Sequence, residues 1–339
     1  MRKLIRIGTR ESQLAVWQAT LVQQCLAEND FESELVFIKS EGDIDLDTPL
    51  YEMGVQGIFT KSLDIALLSQ KIDIAVHSMK DVPTQLPKGI VQSAVLERAS
   101  YKDILVYNGQ AINIHNQLNY NNGKWASIKN TPAVGNVSAG IQDSPYDIGK
   151  SVPFTIATSS IRRKAQWLNR YPNHTIENLR GNVNTRLQKV KDSNWNGAIF
   201  AAAGLERLGL RPYNAIDLDW MLPAPAQGAI IVACREEDDI TREACGLFNH
   251  KETATCTRIE RDFLRGLLGG CSTPISALAQ VQEGKILFKG NILSPDGKQK
   301  AEVEKTIELE EADNLGMIAA TEILDNGGRK IADAIRNGA

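Results

Sequence analysis

Basic and hydroxyl side chains gather just beyond several short apolar runs of this chain. Arg10 and Ser12 follow residues 3–8, and Ser78, Lys80 and Asp81 follow the run 72–77. Thr158, Ser159, Ser160, Arg162 and Arg163 close the run 155–158, while Arg180, Gly181, Asn182 and Arg186 come after 175–179. Guanidinium forks match carboxylates bidentately, so several of them at one place suit a ligand with several carboxylates or phosphates. A lone surface arginine is ordinarily a solvated charge. The Arg162-Arg163 pair is less easily dismissed, because at a helix start it opposes the helix dipole. It also stands behind a Thr-Ser-Ser run suited to capping and anion binding.

Two further constellations could carry chemistry. Asp81 would lie in a loop among cations and stay ionised, a poor general acid but able to stabilise a cationic intermediate or orient a protonated nitrogen. An ordinary Lys-Asp surface pair is the plainer alternative. His77 ends an apolar run and reads as a packed core histidine. Gly269-Gly270-Cys271 combines a tight turn with the best nucleophile among the side chains once its pKa is lowered. The same three residues equally suit a buried structural cysteine. Cys25 and Cys234 lie in apolar periodic segments and read as structural.

The elements that position these groups follow from periodicity. Strands are expected at 3–8, 34–39, 72–77, 89–96 and 103–107, with helices from Ser12, as N-cap, to about residue 28 and over 58–69. Strands at 155–158, 175–179, 197–202 and 228–233 alternate with helices at 161–169, 183–190 and 204–208. That rhythm implies a mostly parallel sheet with helices on its faces, and anion sites outside the carboxyl ends of its strands. The strand 228–233 is expected to return to the first sheet. After residue 250 the pattern changes to a helix at 252–264, antiparallel strands at 276–282, 285–293 and 300–308, and helices at 311–325 and 328–336. Ser294-Pro295-Asp296-Gly297 is a good turn between the last two strands. Residues 42–57 read as a loop, and 109–151, rich in Asn, Gly and Ser, as a long surface insertion.

At 339 residues the chain calls for two or three domains, and 42% hydrophobic with 23% charged residues is a globular balance. A net charge of -3 points to neither nucleic acid nor membrane. The N-terminal apolar stretch, broken by Arg6, is too short for a signal peptide. Five cysteines without a CxxC pair, and four scattered histidines, indicate a reducing cytosol and no metal.

Taken together the motifs resemble the porphobilinogen deaminase (hydroxymethylbilane synthase) family. They run in family order: Ile7–Ser12 with Leu14-Ala15; Asp73 to Pro83, including His77-Ser78-Met79-Lys80-Asp81; Thr158 to Arg163; Leu179 to Arg186; Ala203 to Gly209; Pro225 to Gly228; and Gly269 to Ile275. The resemblance implies a dipyrromethane cofactor held as a thioether on Cys271. This primer receives four porphobilinogens with loss of ammonia, and hydroxymethylbilane is released. Asp81 would be the catalytic carboxylate, with Lys80 beside it. Arg10, Ser12, Ser78, Lys80, Asp81, Thr158, Ser160, Arg162, Arg163, Arg180, Gly181, Arg186, Arg207 and Gln227 would hold the cofactor and growing oligopyrrole. Each pyrrole brings two carboxylates, which suits the arginines, and an ionised Asp81 suits the cation left when ammonia departs.

The expected fold is α/β: two hinged, doubly wound lobes resembling type II periplasmic binding proteins, plus a small α+β C-terminal domain with a three-stranded antiparallel sheet. The corresponding domains are 1–100 with 227–248, then 101–226, then 249–339. Expected partners are porphobilinogen and the growing chain, with no nucleic acid or membrane, in a cytoplasmic monomer. The chain departs from the family where Gly54-Val55-Gln56-Gly57 replaces Gly-Gly-Lys-Gly, where Glu52 stands for lysine, and where Leu268 stands for glutamate. A solute-binding protein of the same architecture would need neither Cys271 nor Asp81, and a deaminase-like protein without activity would have no reason to keep both.

Overall fold

A computed structural model of the chain describes residues 4–39, 60–109, 114–115, 118–121, 124–125, 154–267 and 273–337. The expected loop at 42–57, most of the insertion, and Cys271 lie outside the described residues, as do Glu52, Gln56 and Leu268.

The first sheet is built from β1 (Ile5–Thr9), β2 (Ser33–Phe37), β3 (Ile74–Ser78) and β4 (Ile90–Val95), joined late in the chain by β12 (Ile230–Arg235). Its order is β2-β1-β3-β12-β4. β1 pairs in parallel with β2 and β3, whereas β12 runs antiparallel between β3 and β4. The second sheet takes β5 (Asp103–Tyr107), β8 (Thr155–Ala157), β9 (Thr175–Glu177), β10 (Gly197–Ala201) and β11 (Ala215–Asp217), after the two-residue strands β6 (Tyr120–Asn121) and β7 (Lys124–Trp125). Its order, β11-β5-β10-β8-β9, repeats the first read backwards, with β5 as the antiparallel strand. Each lobe's odd strand is therefore the one that has just crossed from the other lobe. The expected return of the late apolar strand to the first sheet is what is found.

Helix α1 (Gln13–Glu28) begins where Ser12 Oγ accepts from the Ala15 N–H, and buries Ala15, Gln18, Ala19, Val22 and Leu26 on one face. That face meets Ile5, Ile7, Ile74, Val76 and Val232 of the first sheet. Helix α2 (Lys61–Leu68) covers the opposite face through Leu63, Ala66 and Leu67. In the second lobe α3 (Ile161–Arg170) and α4 (Val183–Asp192) follow β8 and β9, capped by Ser160 and Asn182. α5 (Ala202–Glu206) follows β10. The short β11 and α6 (Asp239–Gly246) were not expected from periodicity, although Asp238 accepts from the Thr241 N–H as a clear N-cap.

The C-terminal unit packs α7 (Lys251–Gly266) and α8 (Leu315–Ile323) on an antiparallel sheet of β13 (Ile275–Gln282), β14 (Lys285–Leu293) and β15 (Lys300–Glu308). Phe263 and Phe288 meet edge to face, with ring centroids 5.2 Å apart, in its core. The Gly297 N–H closes the expected turn onto the Ser294 carbonyl at 2.8 Å. The helix expected at 311–325 starts instead as a 3-10 segment, Leu309–Asn314, and the chain kinks at Asn326 and Gly327 before α9 (Arg329–Arg336). Gly327 takes φ 97°, which only glycine adopts without cost.

Candidate active site

All four groups of sequence-selected cations sit at carboxyl ends of strands. Arg10 lies between β1 and α1, and Lys80 and Asp81 occupy a one-turn 3-10 helix, Met79–Asp81, directly after β3. The Thr158–Arg163 segment joins β8 to α3, and Arg180–Arg186 joins β9 to α4. Ser12 and Ser160 are engaged as helix caps, and Thr158 Oγ1 accepts from the Ser160 N–H at 3.2 Å. Ser78 Oγ accepts from Gln18 Nε2 at 2.8 Å, which pins the end of β3 to α1.

Arg162 and Arg163 point inward, and Asp103 is the reason. This carboxylate, fully buried at the start of β5, accepts from Arg162 Nη2 at 2.7 Å and from Arg163 Nη2 and Nε at 2.8 and 3.1 Å. Gln227 Nε2 adds a fourth donor at 2.9 Å. The Nη1 atoms of the two arginines reach the Leu222 and Ile199 carbonyls at 2.6 and 3.0 Å. Burial alone would raise the Asp103 pKa, but the two guanidinium groups outweigh it and hold the carboxyl at about 2. Asp103 thus cancels the dipole conflict of an Arg-Arg pair in a first helical turn. Periodicity showed only an apolar strand led by a charge; the partners of that charge arrive from over fifty residues away.

Lys80 and Arg186 show where the lobes face each other. Burial lowers Lys80 from the ordinary 10.5 to about 8; Arg163 and Arg162 push the same way, and Asp81 and Asp103 oppose them. Burial likewise brings Arg186 to about 10, with Arg163 and Arg180 lowering it and Asp81 raising it. Asp81 therefore acts on a lysine of its own lobe and on an arginine of the other. Arg180 is buried, and Arg186 Nε donates to the Gly181 carbonyl at 2.6 Å. Gly181 has φ 114°, and a Cβ there would stand 2.8 Å from Thr185 Cγ2. Arg207 lies over the Trp17 ring at 5.6 Å, with Nη2 donating to the Gly228 carbonyl at 2.7 Å.

Lys80, Arg162, Arg163, Arg180 and Arg186 thus gather in one region with Asp81 and Asp103. Asp103 is consumed by two arginines. Basic side chains concentrated in this way suit a ligand with several carboxylates.

Where the lobes cross, periodicity missed a second buried carboxylate. Glu260 on α7 accepts from Arg98 Nη1 and Nη2 at 2.6 and 3.1 Å, and from the Ala226 and Ala279 N–H groups at 2.6 and 2.8 Å. Arg98 Nε also holds the Gln227 carbonyl at 2.8 Å. Both crossing segments and the C-terminal unit are tied together at this one side chain. Gln166 on α3 extends the contact, donating to Ser276 Oγ at 3.0 Å.

Among solved structures, the chain is similar to the periplasmic VFT2 domain of Bordetella pertussis BvgS, with 11% identity over 72% of this chain and 87% of that one and a TM-score of 0.38. It is also similar to the ligand-binding component of an ABC-type import system from Staphylococcus aureus, with 14% identity over 77% and 73% and a TM-score of 0.36. At these scores the likeness adds nothing to the fold described above. The family comparison is decisive. Residues 5–243 match the porphobilinogen deaminase, dipyromethane cofactor binding domain, and residues 254–325 match the porphobilinogen deaminase, C-terminal domain. With nearly the whole length matched in order, this chain belongs to the porphobilinogen deaminase family.

Proposed function

We propose that Asp81 and Lys80 of the first lobe work with Arg163, Arg180 and Arg186 of the second to condense porphobilinogen head to tail. The activity follows from the family: hydroxymethylbilane synthesis, a transferase reaction of tetrapyrrole formation. The observation that carries the residue assignment is the position of Asp81, which acts electrostatically on Lys80 and Arg186 from opposite lobes. When bound, the dipyrromethane would supply the free pyrrole α-carbon that takes the first unit, each later unit joining the free α-carbon of the pyrrole added before it.

The chain's own groups divide the remaining work. Arg10, Ser12, Ser78, Thr158, Ser160, Gly181, Arg207 and Gln227 line or brace the cleft that receives the carboxylates. Arg162 and Arg163, clamped by Asp103, act mainly as fixed positive charge. Asp81 stabilises the cation formed as the aminomethyl arm of porphobilinogen loses ammonia, a preorganised carboxylate needing no rearrangement at that moment. Lys80 protonated beside it attracts substrate carboxylates. Cys271 carries the primer as a thioether. The three units correspond to domains of 1–100 with 227–248, 101–226, and 249–339, in a cytoplasmic monomer.

Intact mass under denaturing conditions tests the reading. The wild-type chain should exceed its sequence mass by two condensed porphobilinogen units, and Cys271→Ser should not. No excess in wild type, even after incubation with porphobilinogen, would remove the primer mechanism.

A further inference from the structure

Asp81 stands on a 3-10 helix of one turn, closed by a single backbone bond from the Val82 N–H to the Met79 carbonyl at 3.2 Å. Such a turn has little of its own to fix it, and its end carbonyls need donors. The C-terminal unit supplies them. Arg261, on α7, donates through Nη1 to the Val82 carbonyl at 2.9 Å and the Met79 carbonyl at 3.3 Å, and through Nη2 to the Pro83 carbonyl at 2.5 Å. These acceptors bracket Asp81 on both sides along the chain. The neighbouring Glu260 anchors the same helical turn to both crossing segments, so its position relative to the lobes is set. Shortly after this helix ends at Gly266, the chain reaches Cys271.

We propose that Arg261 is a positioning residue for the reaction: a guanidinium from the C-terminal unit that sets where the Asp81 carboxylate stands in the cleft. The proposal rests on the role given to Asp81 above. Arg261 grips the backbone of the turn and reaches three carbonyls at once, which a lysine ammonium on its flexible stem cannot reproduce. Loss of this grip moves the carboxylate without removing a cation that binds substrate. Misplacement by about 1 Å costs on the order of a hundredfold in rate, so the effect falls on kcat rather than KM.

The test uses full-length Arg261→Gln and Arg261→Lys, each with its primer confirmed by intact mass, assayed with porphobilinogen well below the melting temperature. Per primed molecule, kcat of Arg261→Gln should fall about 10- to 100-fold with KM nearly unchanged, and Arg261→Lys should recover part of the loss. A kcat close to wild type in both variants, or a raised KM at unchanged kcat, would overturn the proposal. If Arg261→Gln does not accumulate as folded protein, backbone hydrogen exchange on Arg261→Lys decides. The amides of residues 79–82 should exchange faster than in wild type, and unchanged exchange rejects the clamp. Inactive wild-type enzyme would instead count against the porphobilinogen reading, while the exchange measurement would still judge the clamp.

Discussion

Replacing Asp103 by asparagine tests whether one buried carboxylate organises the cationic side of the cleft. The side chain keeps its shape but loses the charge that four donors converge on, from Arg162, Arg163 and Gln227. Two guanidinium groups, both nearly inaccessible to water, are then left without a counter-ion. Breaking a buried ion pair from one side costs about 3–5 kcal/mol. Loss of a helix cap, for comparison, costs about 1 kcal/mol, so Ser160→Ala serves as a control of known scale. For a unit of this size each kcal/mol moves the melting temperature by roughly 3 °C, and Asp103→Asn should melt about 10 °C lower. Calorimetry at neutral pH measures this directly. The acid limb gives an independent check. The folded pKa, about 2, lies below the ordinary 3.8, so the charge contributes stability above the ordinary value that is lost as pH falls through the folded one. The gap between wild type and variant should therefore narrow from about pH 4 to about pH 2, because the variant has no such charge to lose. A melting shift within that of Ser160→Ala, or a gap independent of pH, would refute the reasoning.

Other outcomes follow from the same geometry. Lys80 titrates near 8, so KM for porphobilinogen should rise as pH climbs past that value, and Lys80→Arg, still charged there, should flatten the alkaline rise in a pH series. His174, stacked on Tyr171 at 4.8 Å, is held neutral by burial with a pKa of about 4 against 6.5. Stability should accordingly decline as pH falls from 6.5 to about 4, where only the unfolded chain gains the proton, and His174→Phe should show a shallower decline in denaturant titrations. Gly228 has φ 89°, and a Cβ there would meet the Ala99 and Ser100 carbonyl oxygens at 2.7 and 2.8 Å, where the crossing segments touch. Gly228→Ala should lower stability by about 1–3 kcal/mol; an unchanged denaturation midpoint would mean the crossing relaxes freely.

Much of this molecule could be read along the chain, because local rules wrote it. Ser12, Ser160 and the turn at Ser294 do in the structure what capping and turn chemistry require of them, since each interaction spans five residues or fewer. Apolar runs marked the long strands. The three-residue β11 and the eight-residue α6 were not marked in this way. The motifs around Lys80, Asp81 and Arg180 identified the family without any coordinates.

What the arginines do was not legible at that level. Arg162 and Arg163 looked like a pair aimed at a ligand, yet much of their hydrogen bonding is taken up by Asp103, a residue of a strand that crosses from the first lobe. Arg261 and Glu260 are adjacent polar residues on an amphipathic helix, and nothing in that pattern separates them from solvated charges. Sequence by itself determined the elements, the family and the chemical inventory, because propensity, capping and motif identity depend on near neighbours. Tertiary structure alone decided which cations are held by internal carboxylates, which carbonyls Arg261 grips, and that Asp81 acts on both lobes. Those relations join residues up to 182 positions apart, and the desolvation that shifts Lys80 and Arg186 exists only once the lobes enclose them.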